Sequence, residues 1–125
     1  MPADNLPTVK RLSEISIEYQ DKASKLENTL VNAAEAESEY RQRRAQRALV
    51  ARAEEKASAA FAEMIADADP VVAALCMNYK VTAAIADAAR SKLTQLRAQL
   101  DFGKAKLYAD LGTDKIHAAG LSGAA

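Results

Sequence analysis

Arg41, Arg43, Arg44, Arg47 and Arg52 fall close together in the chain, and Arg90, Lys92 and Arg97 form a second group. Neither residues 40–53 nor residues 88–100 contain an Asp or Glu. A guanidinium presents a planar fork of N–H donors that matches phosphate and carboxylate. Brought together, Arg41, Arg43, Arg44, Arg47, Arg90, Lys92 and Arg97 would make a basic belt able to hold an anion or a nucleic-acid backbone. Such binding would weaken steeply with salt. Tyr40 is the only aromatic residue in either window, too little for the stacking platforms of single-strand binders. The plainer reading is that long Arg stems lie over a small-residue seam with their heads in water.

Catalytic chemistry has little to work with. The four glycines stand at 103, 112, 120 and 123, so no Gly-rich phosphate loop exists. His117 is the single histidine and reads as an exposed tail residue. Cys76 is the single cysteine, which excludes an internal disulfide and reads as a small core residue. No nucleophile–base pair or metal-ligand set is visible. The chain reads as non-enzymatic, without cofactor, metal or small-molecule substrate.

The elements that must position these groups are helices. The 125 residues include 29 Ala, two Phe, four Tyr and no Trp. That composition favours long helices over a thick core. Neither Pro nor Gly occurs from Thr8 to Asp69 or from Val71 to Phe102. Pro70 is thus the central helix breaker, and Asp69 before it is a good N-cap. The fold class is all-α: a long antiparallel helical hairpin, coiled-coil-like, bent at Asp69-Pro70. Residues 1–7 read as a frayed leader, about 8–68 as the first helix, about 70–111 as the second, and 112–125 as a flexible tail ended off by Gly112. A break near Asn28–Asn32 would instead give a three-helix arrangement.

The second helix carries a seven-residue repeat: Val72, Tyr79, Ala86, Leu93, Leu100 and Leu107, with Leu75, Thr82, Ala89 and Leu96 three positions on. The first helix carries a stripe of Leu12, Ile15, Tyr19, Ala23, Leu26, Leu30 and Ala33. Its middle is polar or small where a core would want bulk, at Glu37, Arg44, Arg47, Ala48 and Ala51. Either the repeat slips there or the facing surface is polar.

Folding at residue 69 pairs residues whose numbers add to roughly 139. Phe61, Met64, Ile65, Val72, Leu75, Cys76 and Tyr79 then gather in an apolar cap at the bend. The two acid-free windows come side by side. Leu12, Ile15, Tyr19, Leu26 and Leu30 are left without an intramolecular partner, which marks a protein-binding stripe. Self-association or another protein would cover it.

Small secreted helical hairpins of the Trp-x-Gly type share this length, but their Trp is absent here. Over residues 35–111 the chain resembles small Ala/Glu/Arg-rich helical-hairpin accessory proteins encoded by bacteriophages. The resemblance lies in Glu39-Tyr40-Arg41 with the Ala/Arg run after it, and in Lys92-Leu93-Thr94-Gln95-Leu96-Arg97 with Leu100. It implies an accessory or protein-binding role, with DNA-processing machinery as one setting. The net charge of zero argues against bulk attraction to nucleic acid or membrane. With no run of about 18 apolar residues and no signal pattern, a cytoplasmic location without a membrane span is expected.

Overall fold

The structure is a computed structural model that describes the backbone of residues 2–124 and the side chains of residues 8–112. Three helices follow one another: α1 (Pro2–Glu54), α2 (Ala59–Ala68) and α3 (Pro70–Ala124). No strand occurs among the described residues. The long partners α1 and α3 pack together as an all-α hairpin.

Asp69 and Pro70 do what their chemistry dictates. Asp69 Oδ1 accepts from the Val71 N–H at 2.9 Å and the Val72 N–H at 3.2 Å, which satisfies amides that α3 would otherwise leave orphaned. Pro70 sits at the first position of α3, where a missing N–H costs nothing.

The first helix, however, stops at Glu54 rather than near 68. Lys56 adopts a left-handed φ of 54°. That single residue turns the chain, and the Ala51 carbonyl accepts from both Glu55 and Ala57 N–H at 3.1 Å. Ser58 then caps α2, its Oγ accepting from the Phe61 N–H at 3.3 Å. Residues 55–69 are thereby withdrawn from the pairing of the long helices. The alternative break near Asn28–Asn32 does not occur, and the third helix comes from 59–68 instead. At the ends, α1 begins at Pro2 rather than Thr8, and α3 continues past Gly112 to Ala124. A helical Gly costs about 1 kcal/mol against Ala, too little to stop a long helix. The side chain of His117 lies outside the described residues.

The chain divides into two units. One combines α1 up to Ser24 with α3 from Arg90; the other is Lys25–Ala89. In the first, Ile15 and Leu96 are buried, and Leu12 lies directly against the backbone of Gly103. In the second, the buried residues are Ala36, Ala51, Ala62, Ala66, Val72 and Ala86. Among the described residues, every buried position on α3 belongs to its seven-residue repeat, so the apolar period and the covered face coincide there.

The register differs from the one expected. Tyr40 would have faced Gln99; it stacks on Tyr79, ring centroids 5.8 Å apart and planes 18° from parallel. Removing 55–69 from the pairing brings α1 roughly twenty positions nearer the bend along α3 than a corner at Asp69 alone would. The cap also differs. α2 turns Ala62 and Ala66 inward, which allows close approach, and leaves Phe61 and Met64 more than half exposed.

Candidate functional site

Arg44 and Arg47 stand on the inward side of α1, half-buried, where bulk apolar residues were wanted. Partly desolvated cations need partners, and the corner supplies them. Arg44 Nε donates to Asp67 Oδ1 at 2.7 Å and Nη2 to Oδ2 at 3.3 Å. Arg47 Nη2 donates to Glu55 Oε1 at 2.9 Å, and its Nε lies 3.5 Å from Asp69 Oδ2. Arg47 Nη1 is enclosed with no hydrogen-bond partner. The hydrogen bond from Arg44 holds the Asp67 carboxyl below its ordinary value, against the opposing effect of desolvation. The same bond pushes Arg44 up.

The rest of the belt is distributed differently from the expectation. Arg41 donates to Glu37 one turn earlier at 2.9 Å. Lys92 lies 3.7 Å from Glu18, across the α1–α3 pair of the other unit. Arg43 lines a shallow recess with Glu39, Gln42, Gln46, Val71 and Leu75. Arg41, Arg43, Arg44 and Arg47 belong to one unit, and Arg90, Lys92 and Arg97 to the other. The pairs share one logic. Acids absent from the two sequence windows arrive from outside them, so Arg41, Arg44, Arg47 and Lys92 each face a carboxylate.

The stripe expected to be unpaired is covered at its start. Ile15 is 5% exposed and Leu12 meets Gly103. Tyr19, Leu26 and Leu30 are half-buried, and Ala23 points to solvent. Bounds of about 8–68 and 70–111 would leave the second helix some 20 residues shorter than the first; instead α3 has 55 residues against 53 in α1.

An apolar surface does remain open, on the other side of the hairpin. Along α3, Ala74, Met77, Val81, Ala84, Ile85 and Ala88 recur at three- and four-residue steps and are all exposed. Met77 keeps 64% of its surface, Val81 48% and Ile85 54%. This stripe is out of phase with the covered repeat, so α3 is apolar on two opposite faces. From Pro70 to Ala89 only Lys80 and Asp87 are charged. By length and composition α3 is long and apolar enough to cross a membrane, and only 11% of its most apolar window is buried. The α1 segment paired with it carries Arg41, Arg43, Arg44, Arg47 and Arg52, each costly in hydrocarbon. The signal was legible as Met77–Val81–Ile85 at i, i+4, i+8, but the stronger heptad beside it obscured it.

Tyr40, Asp67, Val72, Cys76, Met77 and Lys80 line a recess of about 370 Å³ next to this face. Burial, and then a hydrogen bond shared with Cys76, push the Tyr40 phenol up. Among the described residues no group of three His, Cys, Asp or Glu is placed to hold a metal ion. The chain matches no protein-family model, and no curated protein or solved structure is significantly similar to it.

Proposed function

We propose that this chain is a non-enzymatic helical interaction module that acts as an oligomer in the cytoplasm, associating through the outward face of α3. The observation that carries this reading is the open Ala74–Ala88 stripe. A helix apolar all round is one that something else covers, and α1 covers only one side of this one. Continuous exposed apolar surface on a soluble protein marks a contact site. The Arg-rich α1 disfavours a lipid as the covering surface. An accessory role of the kind implied by the phage-protein resemblance fits a module that brings no chemistry of its own.

Sedimentation equilibrium from about 1 to 100 µM, the range of modest interfaces, tests the reading. A mass that rises with concentration toward a multiple of 13.4 kDa is expected. The double substitution Val81→Glu with Ile85→Glu should hold the protein at monomer mass with its helical circular dichroism intact. A wild-type protein that stays monomeric throughout would overturn the proposal.

A further inference from the structure

We infer that the surface covering α3 is α3 of a second copy of this chain, docked antiparallel, with Lys80 of each copy beside Asp87 of the other. This rests on the self-association proposed above and adds to it an orientation and a register. Lys80 and Asp87 are seven residues apart, so they lie on the same flank of the helix, each immediately before a stripe residue, Val81 and Ala88. Flanking charges of this kind set orientation and partner choice in paired helices.

Parallel alignment sets like on like. The two Lys80 side chains then lie on opposite sides of the seam, and Asp87 has no cation opposite it. Met77 meets Met77 and Val81 meets Val81, while Ala84 opposite Ala84 and Ala88 opposite Ala88 leave voids.

Antiparallel alignment with Val81 opposite Ala84 of the second copy removes both faults. Met77 then falls opposite Ala88, so each of these large stripe residues meets a small one, the alternation that lets two surfaces interdigitate. Ile85 falls opposite Lys80, whose aliphatic stem can cover it. Lys80 and Asp87 of the two copies end two residues out of line, about 3 Å at 1.5 Å per residue, within a lysine's reach. The two-fold symmetry makes every one of these contacts twice. Asp87 already has an interaction within its own chain; an exposed carboxylate changes partner at little cost. The contact spans a few helical turns, below the roughly 800 Å² per partner of a standard interface, so the pair is a weak one.

Charge reversal tests the register. Lys80→Glu sets a new carboxylate against Asp87 of the second copy, and Asp87→Lys sets a new ammonium against Lys80. Each variant alone should dimerise at least about tenfold more weakly than wild type, because like charges across an interface repel. An equimolar mixture of the two variants pairs every flanking carboxylate with an ammonium. It should form a mixed dimer at near wild-type affinity, as should the double variant Lys80→Glu with Asp87→Lys. If wild type dimerises but the single variants do so equally well, or their mixture is no tighter than either alone, the antiparallel register is wrong and self-association stands. A monomeric wild type removes both.

Discussion

Arg44 and Asp67 meet through two hydrogen bonds, of 2.7 and 3.3 Å, although 23 residues separate them. The contact ties α2 back to α1 across the corner that Lys56 creates. It also answers the polar interruption in the apolar stripe of α1: opposite Arg44 and Arg47 the facing surface is polar.

Asp67→Asn should therefore cost stability in a pH-dependent way. Asp67 has a folded pKa depressed below its ordinary 3.8, chiefly by the Arg44 hydrogen bond. Its contribution is present above the ordinary value and is lost as pH falls through the folded one. With both side chains at least a third exposed, about 0.5 kcal/mol is expected near neutrality. Urea unfolding at pH 7 and at pH 3 should show wild type and variant converging at the lower pH.

Tyr40 gives the opposite sign. Its folded pKa is raised above 10.0, first by burial. The contribution is present below that value and is lost as pH rises through the folded one. Tyr40→Phe keeps the stack on Tyr79 and removes the titration. Its unfolding midpoint should fall less than that of wild type between pH 9 and pH 11, a comparison in which the titrating lysines are common to both proteins.

Lys56→Gly should stabilise. A left-handed residue with a side chain costs about 1–2 kcal/mol, and glycine offsets part of that gain through its freer unfolded chain. A net rise of about 0.5–1 kcal/mol in unfolding free energy by chemical denaturation is the expected result. Lys56→Val, β-branched at a positive φ of 54°, should move it the other way.

Asp69→Ala removes the cap of α3 and the contact with Arg47 together. A loss of about 1–2 kcal/mol is expected. Asp69→Ser, which keeps an acceptor for the Val71 and Val72 amides but not the charge, should recover most of it. Equal losses in the two variants would assign the effect to the ion contact with Arg47 instead.

Gly103 and Leu12 should couple. A Cβ at Gly103 would collide with the Leu12 side chain, which can rotate aside. Gly103→Ala gains about 1 kcal/mol of helix propensity, and the displaced leucine takes part of that back. In a Leu12→Ala background the full gain should appear, so a double-mutant cycle on thermal or denaturant unfolding should give a clear coupling energy.

Much of this fold was legible in the residues. The seven-residue period of Val72 through Leu107 named the covered face of α3, and Asp69-Pro70 named its start. The corner at 55–58 was not legible, because nothing there breaks a helix outright. Only Ser58 hints at a cap, and Lys56 adopts an angle that its type disfavours. Without that corner the expected register is about twenty positions off, which leaves Leu12 and Ile15 without the cover they have. The outward stripe of α3 is hidden in the sequence for a different reason: two apolar periods share one helix, and the one with leucines dominates the pattern.

The interior of the Lys25–Ala89 unit is almost wholly alanine: Ala36, Ala51, Ala62, Ala66 and Ala86, with Val72. Alanine layers are nearly interchangeable, so two such helices sliding past each other by a turn would find similar packing at each stop. What singles out one alignment is the small set of contacts that cannot be duplicated: Tyr40 on Tyr79, Arg44 on Asp67 and Arg47 on Asp69. In this half of the molecule the methyl groups supply cohesion, whereas the aromatic and charged pairs act as an index that forbids competing alignments during folding.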